Sequence, residues 1–110
     1  MAGRRRFARQ PVQNGPSIGL KRLRPDGHWS PETVMADVLD VSIGGLCVLI
    51  ADGCDFQPGD RLELQLDDHP GFGVARLTAR IRWMRCSDLA GVCVTGVAFD
   101  APLRALPRLS

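Results

Sequence analysis

The sequence has no tyrosine and only six other aromatic residues, four Phe and two Trp. Exposed aromatics at strand spacing, the stacking platform of single-strand nucleic-acid binders, are therefore lacking. No apolar run is long enough to cross a bilayer as a helix. No apolar stretch follows the basic N-terminus, so a secretory signal is not expected and the chain is expected to be cytoplasmic. The four cysteines, Cys47, Cys54, Cys86 and Cys93, include no C-x-x-C pair and no histidine at zinc-ligand spacing. Cys47 and Cys93 fall in apolar strand patterns and read as small buried hydrophobes. Disulfides are not expected in the cytoplasm, so all four are taken as structural or incidental. No nucleophile–base pair, paired carboxylates or metal cluster can be assembled, which excludes an enzyme and a metal site. Acidic residues are missing from positions 1–24.

Those 24 residues instead carry seven basic side chains: Arg4, Arg5, Arg6, Arg9, Lys21, Arg22 and Arg24. The remainder holds seven basic against twelve acidic ones. A basic arm on an acidic body points to an anionic partner for the arm, such as phosphate. At 110 residues, with 45% hydrophobic composition, the chain suits one globular domain with one core.

Apolar alternation and turn signals mark six short strands. The first lies within 17–23 and ends at Pro25-Asp26-Gly27. The second runs from Thr33 through Val34, Ala36 and Val38 to Val41, and the third from Leu46 to Ile50. The fourth, Arg61–Leu66, alternates cleanly. In the fifth, Leu77, Ala79, Ile81 and Trp83 are expected to face the core, with Thr78, Arg80, Arg82 and Met84 opposite. The strand arginines Arg76, Arg80, Arg82 and Arg85 read as a solvated face. The sixth strand spans Val92–Phe99. His28 and His69 read as solvated loop residues, and Gly71-Phe72-Gly73 as a hairpin turn. Six strands of this spacing predict an all-β antiparallel barrel or sandwich. The expected organisation is a flexible basic arm over 1–15, a barrel over 16–100 and a tail over 101–110. Asp100 can cap one or two helical turns in that tail, limited by Pro107.

Between the second and third strands stands Asp40-Val41-Ser42-Ile43-Gly44-Gly45, or D-x-S-x-x-G. Strand alternation puts Asp40 and Ser42 on one face, beside glycines that permit positive φ and close approach. Asp40 can accept from N–H groups, and the Ser42 hydroxyl can donate or accept. A capped tight turn accounts for these residues equally well. Thirty residues earlier, Arg5 and Arg9 form R-x-x-x-R. An R-x-x-x-R arm followed by D-x-S-x-x-G, with Gly96-Val97-Ala98-Phe99 closing the last strand, resembles the PilZ domain, a bacterial receptor for cyclic di-GMP. The resemblance spans Arg4 to Phe99.

The resemblance implies a six-stranded barrel and assigns Arg5, Arg9, Asp40, Ser42 and Gly45 to the ligand. Arg4, Arg6 and Gly44 stand as secondary candidates. Arg4 occupies the place that the family links to binding one ligand or an intercalated pair. Family members often carry a longer C-terminal helix, here expected as a stub. The chemistry is consistent, because a guanidinium fork matches both phosphate and the guanine O6/N7 edge. The implied function is a non-enzymatic cyclic di-GMP receptor that signals to a partner protein, without metal. The alternative is a small β-barrel nucleic-acid binder using its basic arm.

Overall fold

The expected alternation becomes seven strands in the computed structural model, which describes residues 8–12, 15–51, 55–87 and 91–109. They are β1 (Gln10–Pro11), β2 (Ser17–Arg22), β3 (Val34–Val41), β4 (Gly45–Ala51), β5 (Arg61–Gln65), β6 (Arg76–Ser87) and β7 (Val92–Phe99). Every ladder is antiparallel. The six longer strands follow the order β3-β2-β5-β6-β7-β4, and β4 pairs back onto β3. The sheet is thus a closed six-stranded barrel, which leaves no free edge among these strands. One residue in two points inward: Ile18 and Leu20, Leu46, Val48 and Ile50, Leu62 and Leu64, Ala79 and Ile81, Val97 and Phe99 are all buried. Burying each large aliphatic side chain contributes about 1.5–3 kcal/mol.

Two β-bulges interrupt the alternation. In β3, Val38 pairs with Val48 but Asp40 pairs with Cys47, so Leu39 is the extra residue. In β6, Ile81 pairs with Val97 but Trp83 pairs with Gly96, so Arg82 is extra. An inserted residue reverses the facing of everything after it. Past the first bulge Val41 is buried in the core and Asp40 turns outward. Past the second, Trp83 is 36% exposed, whereas Met84 packs against the core. Trp83 is therefore not the core residue that regular alternation implies.

Within the stretch expected as a flexible arm, Gln10–Pro11 form the short strand β1. Gln10 and Pro11 pair with Val41 and Asp40, the Val12 N–H donates to the Leu39 carbonyl at 2.9 Å, and the Val38 N–H donates to that of Pro16 at 2.9 Å. The same edge of β3 then continues into β2 at Ser17. The last residues of the basic arm are thereby fixed to the barrel.

The tail is extended, without a helix among its described residues. Its Leu103 N–H donates to the Ile43 carbonyl at 2.8 Å, and the Arg108 N–H to that of Gly71 at 3.2 Å. Isolated helices this short are marginal in water, and Pro102 and Pro107 remove donors. Tertiary hydrogen bonds win over a helical turn. Leu103 and Phe72 are buried in the core, and Val12 and Leu109 pack against it. Phe72 belongs to a single 3₁₀ turn, Pro70–Phe72. His69 is half-buried, and its Nε2–H donates to the Ser17 carbonyl at 2.8 Å, tying this loop to β2.

Cys86 and Cys93 form a disulfide, contrary to the expectation that a cytoplasmic chain has none. They are directly opposite in the β6–β7 ladder, a proximity created by register. Cys47 is buried, as expected, and Cys54 lies outside the described residues.

Thr95 is fully buried on the inner face of β7, and its Oγ1 has no hydrogen-bond partner among the described residues. An unsatisfied buried hydroxyl costs about 1–3 kcal/mol, while valine keeps the β-branched shape. Thr95→Val should stabilise the barrel by about 1 kcal/mol, raising Tm by roughly 4–8 °C. A thermal melt showing an unchanged or lower Tm would disprove the hydroxyl's cost.

Candidate functional site

The β3 bulge hands Asp40 to the outer surface, where the β1 ladder has brought Arg9. Arg9 Nη1 donates to Asp40 Oδ1 at 2.8 Å, with the two side chains 21% and 27% exposed. A half-exposed pair of this kind contributes at most about 1 kcal/mol. A bidentate arginine–guanine contact is worth about 1–3 kcal/mol. The pair can therefore hold Arg9 in place and still give it up to a ligand.

Ser42 is buried, and its hydroxyl organises the turn. Oγ accepts from the Gly44 N–H at 3.2 Å and the Gly45 N–H at 3.1 Å, and donates weakly to the Gly45 carbonyl at 3.4 Å. Gly44 and Gly45 do not adopt positive φ; among the described glycines that conformation belongs to Gly27, Gly59, Gly73 and Gly91. Gly45 is needed for close approach instead. A Cβ there would lie 2.2 Å from the Val97 carbonyl oxygen of β7.

A single row of ladder partners crosses four strands. Asp40 pairs with Cys47, Cys47 with Gly96, and Gly96 with Trp83. Three strand spacings separate its ends, roughly 14 Å along the surface. Gly96 leaves room for the neighbouring side chain: a Cβ there would meet the Trp83 indole at 2.2 Å. The ring thus lies on Gly96, with the Arg85 guanidinium 5.5 Å from its centroid. An exposed cation–π contact of this type is worth about 0.5–1 kcal/mol. Stacking of a base on an aromatic ring is worth about 1–3 kcal/mol, enough to displace it.

Around this row lies a cleft of about 530 Å³ lined by Arg9, Ser42, Gly44, Gly45, Arg82 and Trp83, with residues 96–99 of β7, Asp100 and Pro102 forming the rest of the wall. Of the residues singled out in the sequence, the structure brings Arg9, Asp40, Ser42, Gly44 and Gly45 together. Arg4, Arg5 and Arg6 lie outside the described residues. Arg82 and Trp83 were not recognised as site residues; a bulge leaves no mark on apolar alternation. A deeper signal was available in Gly96, a glycine within a strand pattern, which often marks a bulge or a close approach. Among the described residues, no group of metal-binding side chains and no helix long and apolar enough to cross a membrane is present.

No curated protein matches this chain. Several solved structures share its fold. The Bacillus subtilis inhibitor of motility, MotI/DgrA, aligns over 92% of this chain and 44% of its own, at 19% identity and a TM-score of 0.58. The PilZ domain of YcgR from Escherichia coli, determined with c-di-GMP, aligns over 88% of this chain and 78% of its own, at 19% identity and a TM-score of 0.56. The chain thus spans less than half the length of MotI. The family model for the PilZ domain matches residues 3–108. With that match covering nearly every residue, and a closed six-stranded barrel beneath it, the chain belongs to the PilZ domain family.

Proposed function

We propose that this PilZ domain is a cyclic di-GMP receptor, without catalytic activity, that passes its ligand state to a partner protein. The observation that carries the proposal is the row from Asp40 to Trp83. At one end a carboxylate and a guanidinium offer an acceptor and a fork of donors, which suit a guanine edge or a phosphate. At the other end an indole offers a stacking surface. Beside the row Gly45 adds no side chain, and the indole itself lies over Gly96. A ligand with two bases joined by two phosphates suits such a span. The YcgR PilZ domain, solved with c-di-GMP, supports the choice of ligand.

Arg5 is the arm's contribution. Four residues of extended chain reach about 13 Å, so Arg5 and Arg9 can hold one ligand between them. Arg4 and Arg6 are secondary contacts in the same arm, and Gly44 leaves the turn accessible. Binding draws residues N-terminal to Arg9 over the cleft, since the ligand's negative charge offsets the repulsion among the arginines. Asp40 takes the guanine N–H groups once Arg9 exchanges it for the ligand, while Ser42 acts mainly by holding the turn.

Calorimetric titration with cyclic di-GMP, cyclic di-AMP, GTP and single-stranded RNA tests the assignment. Cyclic di-GMP should bind at least about tenfold more tightly than cyclic di-AMP, because arginine and carboxylate read guanine groups that adenine lacks. Equal affinity for the two dinucleotides would refute guanine reading, and preferential binding of RNA would favour the nucleic-acid alternative.

A further inference from the structure

The charges facing the cleft are unevenly compensated. Arg9 is paired with Asp40, and Asp100 is paired with Arg61 at 2.5 Å. Arg82 makes no ion pair among the described residues, although it lines the same cleft and is exposed. A ligand carrying two phosphates would therefore meet a near-neutral pair at the Asp40 end and an uncompensated guanidinium at the Trp83 end.

The backbone explains why that guanidinium is there. Arg82 is the inserted residue of the β6 bulge, between the pairs Ile81–Val97 and Trp83–Gly96. Bulges re-aim side chains and are over-represented beside functional sites. Here the bulge turns two consecutive residues, Arg82 and Trp83, to the outer surface. Without it the indole would enter the core, and the cleft would lose its stacking surface. Arg80, two residues earlier on the same outer face, pairs with Ala98 and Arg61 but does not line the cleft.

We propose that Arg82 is a phosphate-binding residue of this site, gripping the ligand from the wall opposite Arg9 while a base rests on Trp83. The proposal rests on the cyclic di-GMP assignment and adds to it the second phosphate contact, borne by the barrel rather than by the arm. A guanidinium suits this role because it binds phosphate oxygens through two N–H groups at once.

Titrations of cyclic di-GMP into wild type, Arg82→Ala, Arg82→Lys and Arg80→Ala, each at low and high salt, test the proposal, with melting curves as a check on folding. Arg82→Ala should weaken binding about tenfold to a hundredfold and make the affinity less sensitive to salt. Arg82→Lys should fall between that variant and wild type, since it keeps the charge but loses the fork. Arg80→Ala should stay within about twofold of wild type, well under the tenfold that 1.4 kcal/mol represents. Wild-type affinity in Arg82→Ala would overturn the contact and leave the cyclic di-GMP assignment standing. An equal loss in Arg80→Ala would also overturn it, because the strand's charge would then act only at a distance. Absence of binding by wild type itself would defeat the ligand assignment, and the role of Arg82 with it.

Discussion

Replacing Arg5 and Arg9 together by alanine should abolish measurable cyclic di-GMP binding while leaving the barrel folded. Each arginine supplies charge-assisted contacts worth about 1–3 kcal/mol, so either single variant should lose roughly tenfold to a hundredfold in affinity. The stability cost is bounded by what Arg9 does in the ligand-free protein. Its only described ion pair is with Asp40, a half-exposed contact contributing at most about 1 kcal/mol. The β1 ladder that positions it uses backbone groups of Gln10, Pro11 and Val12, which the substitution leaves alone. Calorimetry and a thermal melt on the same samples separate the two effects. Retained affinity in the double variant would remove the arm from the site and defeat the proposed function, even though the fold would stand.

Gly45→Ala should have the opposite signature, a large loss of stability. The added Cβ would lie 2.2 Å from the Val97 carbonyl oxygen and 3.2 Å from Ala98 Cα, both backbone atoms of the paired strand. Neither can step aside without opening the β4–β7 ladder, which runs from Gly45–Ala98 to Ala51–Val92. Overpacking of this kind typically costs 1–3 kcal/mol and occasionally more; with rigid neighbours we expect about 3 kcal/mol, or a Tm lowered by roughly 10–20 °C. Gly96→Ala provides the contrast. Its Cβ would meet the indole of Trp83, a partly exposed side chain that can swing outward. That variant should keep most of its stability and lose affinity through displacement of the stacking surface. If Gly45→Ala melts like wild type and loses only binding, the glycine serves the ligand and not the barrel.

Of the two roles the sequence offers Gly44 and Gly45, positive φ and close approach, the structure shows only close approach, at Gly45. Gly44 and Gly45 beside serine suggest a turn with positive φ, because local propensity is all that a short window contains. Their φ values are ordinary, and Gly45 is glycine because another strand passes close by, 52 residues later in the chain. Ser42 shows the reverse. Its capping of the turn is local, with partners two and three residues away, and the turn chemistry of D-x-S-x-x-G anticipates it.

What the sequence determined by itself is the barrel and its motifs. Alternation with period two places Ile18, Leu20, Leu62, Leu64, Ala79 and Ile81 in the core, because a strand sends successive side chains to opposite faces. R-x-x-x-R and D-x-S-x-x-G name the family because their residue types and order survive without any knowledge of contacts. What only the tertiary structure decided is which side chains follow the two bulges outward, and which strands come to lie side by side. An inserted residue changes facing without changing composition, so Trp83 reads as core in the sequence and stands on the surface in the fold. Register is likewise a property of pairs of strands. It sets Asp40, Cys47, Gly96 and Trp83 in one row, joins Cys86 to Cys93, and draws the tail to Ile43 and Gly71 in place of a helix. Each outcome depends on backbone hydrogen bonds between distant segments, whose free energy outweighs local preference.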